Sequence, residues 1–520
     1  MTNKFAPILP LTDTDAYKLD HRRQYPKGTT GVLSNFTNRG SRIPRVTHVV
    51  NFGLQAFLKT WATDAWEPFW AASEDEVAAL YEEFTTSVLG PNTIGSDHIR
   101  ALHKLGYLPL KFRALPEGAL VPLRVPSFTV ENTLPEFYWL VNYIETALSA
   151  SVWQPSTSAT TAYYFRKLLD DWALKTTGST EGVQWQGHDF SFRGMAGIDA
   201  AAASGAGHLL SFTGSDNLNV VNFVNENYDG DNGLILGSVP ATEHSVMCAG
   251  GSDEGDEQAT YQRILDEYPT GIVSVVSDTW DLWNVLTEIL PNLKDQIMAR
   301  DGKLVIRPDS GNPADILCGT APDLHLTDDG VLVEKERTPA NKGVIELLWD
   351  LFGGETNEKG FKVLDSHIGA IYGDSIYYDR AEEIFSRLAL KGFASTNVVF
   401  GVGSYTYQHV TRDTFASAIK ATWVEINGEG KAIFKDPVTD NGTKKSARGR
   451  IAVTWDTLSG TSTSDYHLVD DSENEVDPKY TGSNLEGTDS DMLVKVWEDG
   501  KFIKYYSYAE VRENLHPEGL

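Results

Sequence analysis

The sequence predicts an α/β protein: an irregular (β/α) barrel plus a smaller α/β domain built from the N- and C-terminal parts of the chain. Three observations lead there. Short apolar, β-branched runs recur through the middle of the chain, each closing on glycine and polar residues. Helical patterns separate them, and the C-terminal end carries hairpin signals instead. Residues 1–150 are read as the N-terminal part of the smaller domain, with helices packing on the barrel. Residues 151–404 form the barrel that carries the active site, and 405–520 the C-terminal part, with β-hairpins and a basic loop.

Residues 1–150 mix helices with extended stretches such as LPLKFRALPEGALVPLRVP (108–126). The expected barrel strands follow: Phe190–Arg193 in HDFSFRG, HLLSFTGSD (208–216), GLILGSVPATEH (233–244) and GIVSVVSDTWD (271–281). KLVIRPDSGNP (303–313), HIGAIYGDS (367–375) and NVVFGVGS (397–404) complete the series. Near-continuous β-branched runs mark strands buried on both faces of a parallel sheet. SDEGDEQATYQRILDEYP (252–269) and DTWDLWNVLTEILP (278–291) begin with acids and stop at proline, as capped helices do. The alternation also fits a doubly wound sheet; a barrel is preferred because polar residues follow every strand. Near the C-terminus, Asn427–Gly428 and Asp499–Gly500 stand between alternating segments, the signal of tight hairpins.

Hydrophobic residues make up 41% of the chain and charged ones 22%, which excludes a disordered protein. A net charge of −28 argues against nucleic acid as a partner. An anionic substrate would therefore need a local basic cluster that opposes the global field. Two cysteines, Cys248 and Cys318, make no disulfide framework and suit a reducing, cytoplasmic setting. The opening MTNKFAPILPLTDTDAYK lacks a basic n-region and a long apolar stretch, so no signal peptide is expected. No apolar run approaches the ~20 residues of a membrane span, so no membrane association is expected.

Chemistry concentrates at the strand ends. In Arg307–Pro308–Asp309–Ser310–Gly311, the arginine offers a fork for phosphate or carboxylate. Asp309 can take sugar hydroxyls or Mg²⁺, and Ser310–Gly311 lets backbone amides approach an anion. The same loop reads equally as a surface turn with a local salt bridge. Gly373–Asp374 and Gly401-x-Gly403–Ser404 also follow strands, where glycine permits close approach to a phosphate. Asp278 and Asp281 of VVSDTWD read as an N-cap and a first-turn acid, each favourable at a helix start, and the capping reading weighs most for Asp278. Arg412, Lys420, Lys435, Lys444, Lys445, Arg448 and Arg450 form a basic concentration, either a solvated face or a flexible loop beside a polyphosphate. Glu243–His244 ends the 233–244 run. A histidine there is more often structural, yet Glu243 could fix its tautomer and raise its nucleophilicity.

Together these stretches resemble the nicotinamide phosphoribosyltransferases of the type II phosphoribosyltransferase family. The resemblance runs from Thr14–Asp15–Ala16–Tyr17–Lys18 and Asn51–Phe52–Gly53–Leu54–Gln55, through SVPATEHS, SVVSDTWD, IRPDSGNP, YGDS and FGVGS, to Thr411–Arg412–Asp413 and FKDPV. It implies transfer of the phosphoribosyl group of phosphoribosyl pyrophosphate to nicotinamide, in NAD salvage. It also implies stimulation by ATP, a co-substrate hydrolysed through a phosphohistidine with Mg²⁺, in a homodimer with shared sites. His244 is the implied phospho-acceptor, with Glu243 its orienting partner. Phe190, and Tyr17 of the other subunit with Asp15 beside it, would sandwich the pyridine ring, and Asp216 would accept from the carboxamide. Arg193, His244 and Arg307 would hold pyrophosphate. Asp309 and Asp281 would meet ribose hydroxyls, directly or through Mg²⁺, with Ser277 nearby. Gly373, Asp374, Gly403 and Ser404 would line sugar and phosphate. Arg412 and Lys420 would reach in from the other subunit, and Lys435 and Lys444 belong to the basic loop. Where the family has a glycine triplet, this chain reads Gly403–Ser404–Tyr405. The rival expectations are a nicotinate phosphoribosyltransferase and a non-catalytic binding or signalling relative. A carboxylate at 216 speaks against the first, and intact His244, Arg307 and Asp309 against the second.

Overall fold

Valine, isoleucine and phenylalanine buried on both sides draw six short segments of the mid-chain into one parallel sheet. They are β1 (Gly187–Asp189), β2 (Gly214–Ser215), β3 (Thr270–Val276), β4 (Asp301–Arg307), β5 (Ile368–Tyr372) and β6 (Val398–Val402). The order is β2-β1-β6-β5-β4-β3, and every pairing is parallel. The two edges are joined through a segment with little regular structure: Gly237 bridges Gly214 of β2, and Ala241 bridges Ser274 of β3. The sheet therefore curls round on itself as an irregular barrel. Parallel strands put all their C-terminal ends on one side, which gathers the loops expected to carry function. The computed structural model describes residues 3–230, 235–251, 254–322, 324–326, 329, 331–439, 444–457, 464–472 and 481–520.

Several expected boundaries move, each for a local reason. HLLSFTGSD is not a long strand: the helix Ile198–His208 runs into it, and only Gly214–Ser215 pairs. Leu209, Leu210 and Phe212 are buried there, and an apolar run alone does not separate a helix end from a strand. Phe190–Arg193 lies beyond β1, in a turn. Gly233 and Leu234, the start of another expected strand, lie outside the described residues, as do Ser252 and Asp253 before the helix Glu254–Glu267. Pro291 does not end its helix. Leu282–Asn284 passes through a π turn, Val285–Ile289, into Leu290–Met298. Pro291 stands in the first turn of that last piece, where a missing N–H costs little.

The chain forms two units. One comprises Thr161–Val221 and Gly233–His409 with Leu520, and contains the barrel. The other comprises Met1–Thr160, Asn222–Asn232 and Val410–Gly519. The helix Glu145–Thr176 runs straight through position 150. The terminal unit is built on a seven-stranded antiparallel sheet in which the strand Thr29–Asn38 pairs with Ser417–Ile426 on one side and Pro126–Asn132 on the other. N- and C-terminal chain thus share one sheet. Both hairpins form where the sequence places them, with Asn427, Gly428, Asp499 and Gly500 all at positive φ, as a type I′ turn requires.

A buried carboxylate ties this unit together. Glu117 accepts hydrogen bonds from the Gly53 and Gln55 amides at the start of the helix Leu54–Thr60 and from the Tyr228 hydroxyl. Burial pushes its carboxyl above the usual range against those donors. Glu117→Ala leaves the donors stranded, at about 1–3 kcal/mol for each buried group left unpaired. Thermal unfolding should show a lower midpoint for E117A and a smaller loss for E117Q; equal midpoints for E117A and wild type would remove Glu117 from this role.

Candidate active site

A cavity of ≈ 790 Å³ opens at the C-terminal ends of the barrel strands. Each wall is set by a strand end. Asp189 closes β1, fully buried, and its Oδ1 accepts from the Ser191 amide at 2.8 Å. That tight turn fixes Phe190 and brings Arg193 round to the cavity. Phe190 lies on a floor of glycine. A Cβ on Gly401 would come within 2.3 Å of its ring, and one on Gly373 within 3.2 Å. These glycines make room for an aromatic ring, where the sequence suggested room for phosphate. Gly373 and Asp374 nevertheless line the cavity.

Arg307 ends β4. Burial weakens its hold on the proton; Asp309, Asp216 and Asp278 work against that loss, and Arg193 adds to it. Two arginines thus line one cavity together with carboxylates, and Arg307 Nε is buried without a partner among the described residues. Such an arrangement accepts an anion. Burial pushes the Asp309 carboxyl upward; Arg307 and His244 oppose this, while Asp278 and Asp374 reinforce it. Asp216 behaves oppositely. Burial disfavours its charge, but hydrogen bonds from His188 and Ser238, and the charges of His188 and Arg307, hold its carboxyl below the usual range.

His244 begins the helix His244–Ala249 and faces the cavity beside Glu243 and Ser245. Its Nδ1 lies 3.2 Å from Thr279 Oγ1. Glu243 does not orient it: the carboxylate accepts from the Ser245 hydroxyl instead. Adjacent residues at a helix start project in different directions, so nearness in sequence does not pair them.

Residues 185–478 match the nicotinate phosphoribosyltransferase (NAPRTase) family, more than half of the 520-residue chain. The chain belongs to the nicotinate phosphoribosyltransferase family. Residues 10–111 match the nicotinamide phosphoribosyltransferase N-terminal domain. A nicotinamide phosphoribosyltransferase of Acinetobacter baylyi is 50% identical over 459 residues, 86% of this chain and 88% of its own. One from Xanthomonas campestris pv. campestris is 32% identical over 96% of this chain and 97% of its own. Two solved structures share the fold. Nicotinate-nucleotide pyrophosphorylase from Pyrococcus furiosus covers 100% of this chain and 97% of its own, with a TM-score of 0.55 at 16% identity. Human nicotinic acid phosphoribosyltransferase covers 97% and 93%, with a TM-score of 0.52 at 15% identity.

In this phosphoribosyltransferase the cavity collects Phe190, Arg193, Asp216, Glu243, His244, Arg307, Asp309, Gly373 and Asp374 from the expected site residues. Ser277 is fully buried, its hydroxyl donating to Val275 O and accepting from Tyr261. Asp281 caps the helix Leu282–Asn284, accepting from the Trp283 and Asn284 amides. Asp281, rather than Asp278, is therefore the helix cap. Asp278 caps no helix among the described residues: its Oδ2 accepts from the Asp309 amide at 2.8 Å and the Ser310 hydroxyl at 2.6 Å, and its Oδ1 is buried with no partner among them. Ser404 begins a short helix, and its hydroxyl packs on Gly194, next to Arg193. Tyr405 is turned outward, 53% exposed, against Tyr377 and His409.

Gly403, just before that short helix, is in the barrel unit, and the remaining expected residues belong to the terminal unit. Tyr17 is 63% exposed, and its hydroxyl donates to Asp15, which also accepts from Thr146. Burial lowers the proton affinity of Lys420; Glu145 opposes this, and the cations Arg39, Lys18 and Lys435 add to it. Arg412 and Lys444 lie at the surface. Residues 440–443 of the basic loop lie outside the described residues.

Sequence reasoning missed His188, Ser238, Thr279 and Tyr372. Tyr372 donates to the carbonyls of Ser310 and Gly311 and so braces the loop after β4 together with Asp278. Asp278→Ala should lower kcat/KM for the phosphoribosyl donor by about 10–100-fold, because a loosened loop misplaces Asp309 and Arg307. Asp281→Ala should cost about 1 kcal/mol of stability and little activity, as loss of a cap does. Steady-state kinetics and thermal unfolding separate the two, and the opposite ranking would restore Asp281 to the site.

Proposed function

We propose that this enzyme transfers the phosphoribosyl group of phosphoribosyl pyrophosphate to nicotinamide, giving nicotinamide mononucleotide and pyrophosphate for NAD salvage. One observation carries the reading: Asp216, its carboxyl held below the usual range, stands in the same cavity as a flat aromatic ring and two arginines. A carboxylate at that point accepts from a carboxamide NH₂ and repels nicotinate. The relatives that match most of this chain carry the same activity in their names.

The ring nitrogen of nicotinamide attacks the anomeric carbon while the bond from that carbon to the pyrophosphate oxygen breaks. The transition state is oxocarbenium-like, so leaving-group stabilisation and positioning dominate. Phe190 holds the pyridine ring by one face, and Asp216 sets its rotation. Arg193 and Arg307 take the negative charge that develops on the departing oxygen. Their mutual repulsion is relieved when an anion lies between them. Asp309 is suited to the ribose hydroxyls.

Mg²⁺ fits as an ion that arrives with the polyphosphate. Among the described residues no group of three or more His, Cys, Asp or Glu could hold a metal ion by itself. Mg²⁺ needs only one or two carboxylates, completed by water and phosphate oxygens. Asp309 and Oδ1 of Asp278, unpartnered among the described residues, would hold it; Asp281 caps its helix through its own Oδ1. When bound, the ion neutralises charge on pyrophosphate.

ATP is the proposed co-substrate, with His244 as phospho-acceptor. With Nδ1 taken by Thr279, Nε2 is the nitrogen open to a γ-phosphoryl group. Its lone pair forms the N–P bond, the bond from that phosphorus to the bridging oxygen breaks, and ADP leaves; water later cleaves the N–P bond. A homodimer with shared sites is proposed because a largely exposed Tyr17 suits a ring that completes a neighbour's cavity. A cytoplasmic location is proposed from the free cysteines; among the described residues no helix is long and apolar enough to cross a membrane.

Product formation from nicotinamide and nicotinate in parallel, each with and without ATP, tests the reading. Nicotinamide should be strongly preferred, and Asp216→Asn should cut that preference by about 10–100-fold. A wild-type preference for nicotinate would overturn the proposal. His244→Ala should abolish ATP hydrolysis and ATP-linked stimulation while basal transfer persists. Equal ATP turnover by mutant and wild type would exclude His244 as the acceptor.

A further inference from the structure

Asp216 does not stand alone. His188 Nε2 lies 3.0 Å from its Oδ1, and the Ser238 hydroxyl donates to the same oxygen. Three separate pieces of chain meet here: β1, the end of β2, and the bridging segment after Gly237. The Ser215 amide donates to Gly237 O at 3.0 Å, which fixes the spacing between Asp216 and Ser238. The imidazole is confined. A Cβ on Gly214 would come within 2.7 Å of its Nδ1, and the Phe190 ring lies 4.9 Å from it, centre to centre. Its side chain is 12% exposed against 46% for Asp216, so the histidine stands behind the carboxylate. An ionised carboxylate only accepts, so Nε2 carries the hydrogen that His188 donates. Both donors converge on Oδ1, and Oδ2 has no hydrogen-bond partner among the described residues.

We infer that His188 and Ser238 are the positioning residues that set base specificity: they hold Asp216 as an ionised acceptor with one open oxygen, selecting a pyridine carboxamide over a pyridine carboxylate. This rests on the proposed reaction and deepens it. Burial of Asp216 favours its neutral form, and the two donors overcome that tendency. A neutral carboxyl offers an O–H, which a nicotinate carboxylate accepts, so selectivity is lost when Asp216 protonates. Removing a donor raises the Asp216 pKa, and protonation then begins at a higher pH than in the intact protein. The other charged group acting on Asp216 is Arg307, at the end of β4. Behind His188 is His208, which burial keeps neutral and which is bonded to Tyr407 and to the Gly214 carbonyl.

The test compares wild type, His188→Ala, His188→Gln and Ser238→Ala as full-length enzymes. Initial rates are taken with nicotinamide and with nicotinate across the pH range in which each protein stays folded. H188A and S238A should each lower the ratio of kcat/KM for nicotinamide over nicotinate by about tenfold or more, mainly through the KM for nicotinamide. As pH falls, their ratio should collapse earlier than that of wild type. H188Q, whose amide N–H₂ reaches the position of Nε2, should restore most of the ratio. S238A leaves β1 untouched and carries the test if H188A does not fold. Variants that slow both bases equally, with an unchanged ratio at every pH, would make the two residues merely structural and overturn the inference. A wild-type enzyme that does not use nicotinamide would instead overturn the proposed reaction.

Discussion

A guanidinium held partly out of water, with a second guanidinium in the same cavity, is the constraint on which the rest of this structure depends. Arg307 and Arg193 repel each other, and Arg307 Nε has no partner among the described residues. Left alone, the pair would be costly, because burial penalises charge and like charges add to the penalty. Asp309, Asp278 and Asp216 make it tolerable. Both arginines line the cavity, so its field is open to an anion. A chain of net charge −28 is in this way locally receptive to a polyphosphate.

Such a site works only if its walls do not relax. Repelling groups on free loops would swing apart, and the cavity would lose its field. The loop after β4 is therefore braced twice, by Asp278 at its amide and hydroxyl and by Tyr372 at its carbonyls. The turn after β1 is braced by the buried Asp189. Phe190 rests on glycine, where any larger residue would lift the ring from the wall. Rigid supporting contacts of this kind hold reacting groups in place and spare the reorganisation that water would demand.

Much of the active site was legible because its residues come in contiguous strand-end clusters. The sequence IRPDSG identifies Arg307 and Asp309, and VPATEH identifies His244. What failed was pairing. Glu243 adjoins His244 in sequence, yet Thr279, from the end of another strand, meets the imidazole. Asp278 looked like a cap because both aspartates stand before a helix; the register of the helix start makes Asp281 the cap. His188 sits inside a strand, 28 residues from Asp216, and nothing local in the sequence pairs the two.

The sequence by itself determined the alternation of strands and helices, the hairpins at Asn427–Gly428 and Asp499–Gly500, and the residue types available at each strand end. Those features depend on φ/ψ preference and apolar periodicity, which act over a few neighbouring residues. Tertiary structure decided which aspartate supports Asp309, which oxygen of Asp216 stays open, and that the 237–241 segment joins the edges of the sheet with only two bridges. Each of these depends on distances between strands far apart in the chain. A side chain's partner, and with it its charge, is set by whatever the packed barrel brings within hydrogen-bond reach.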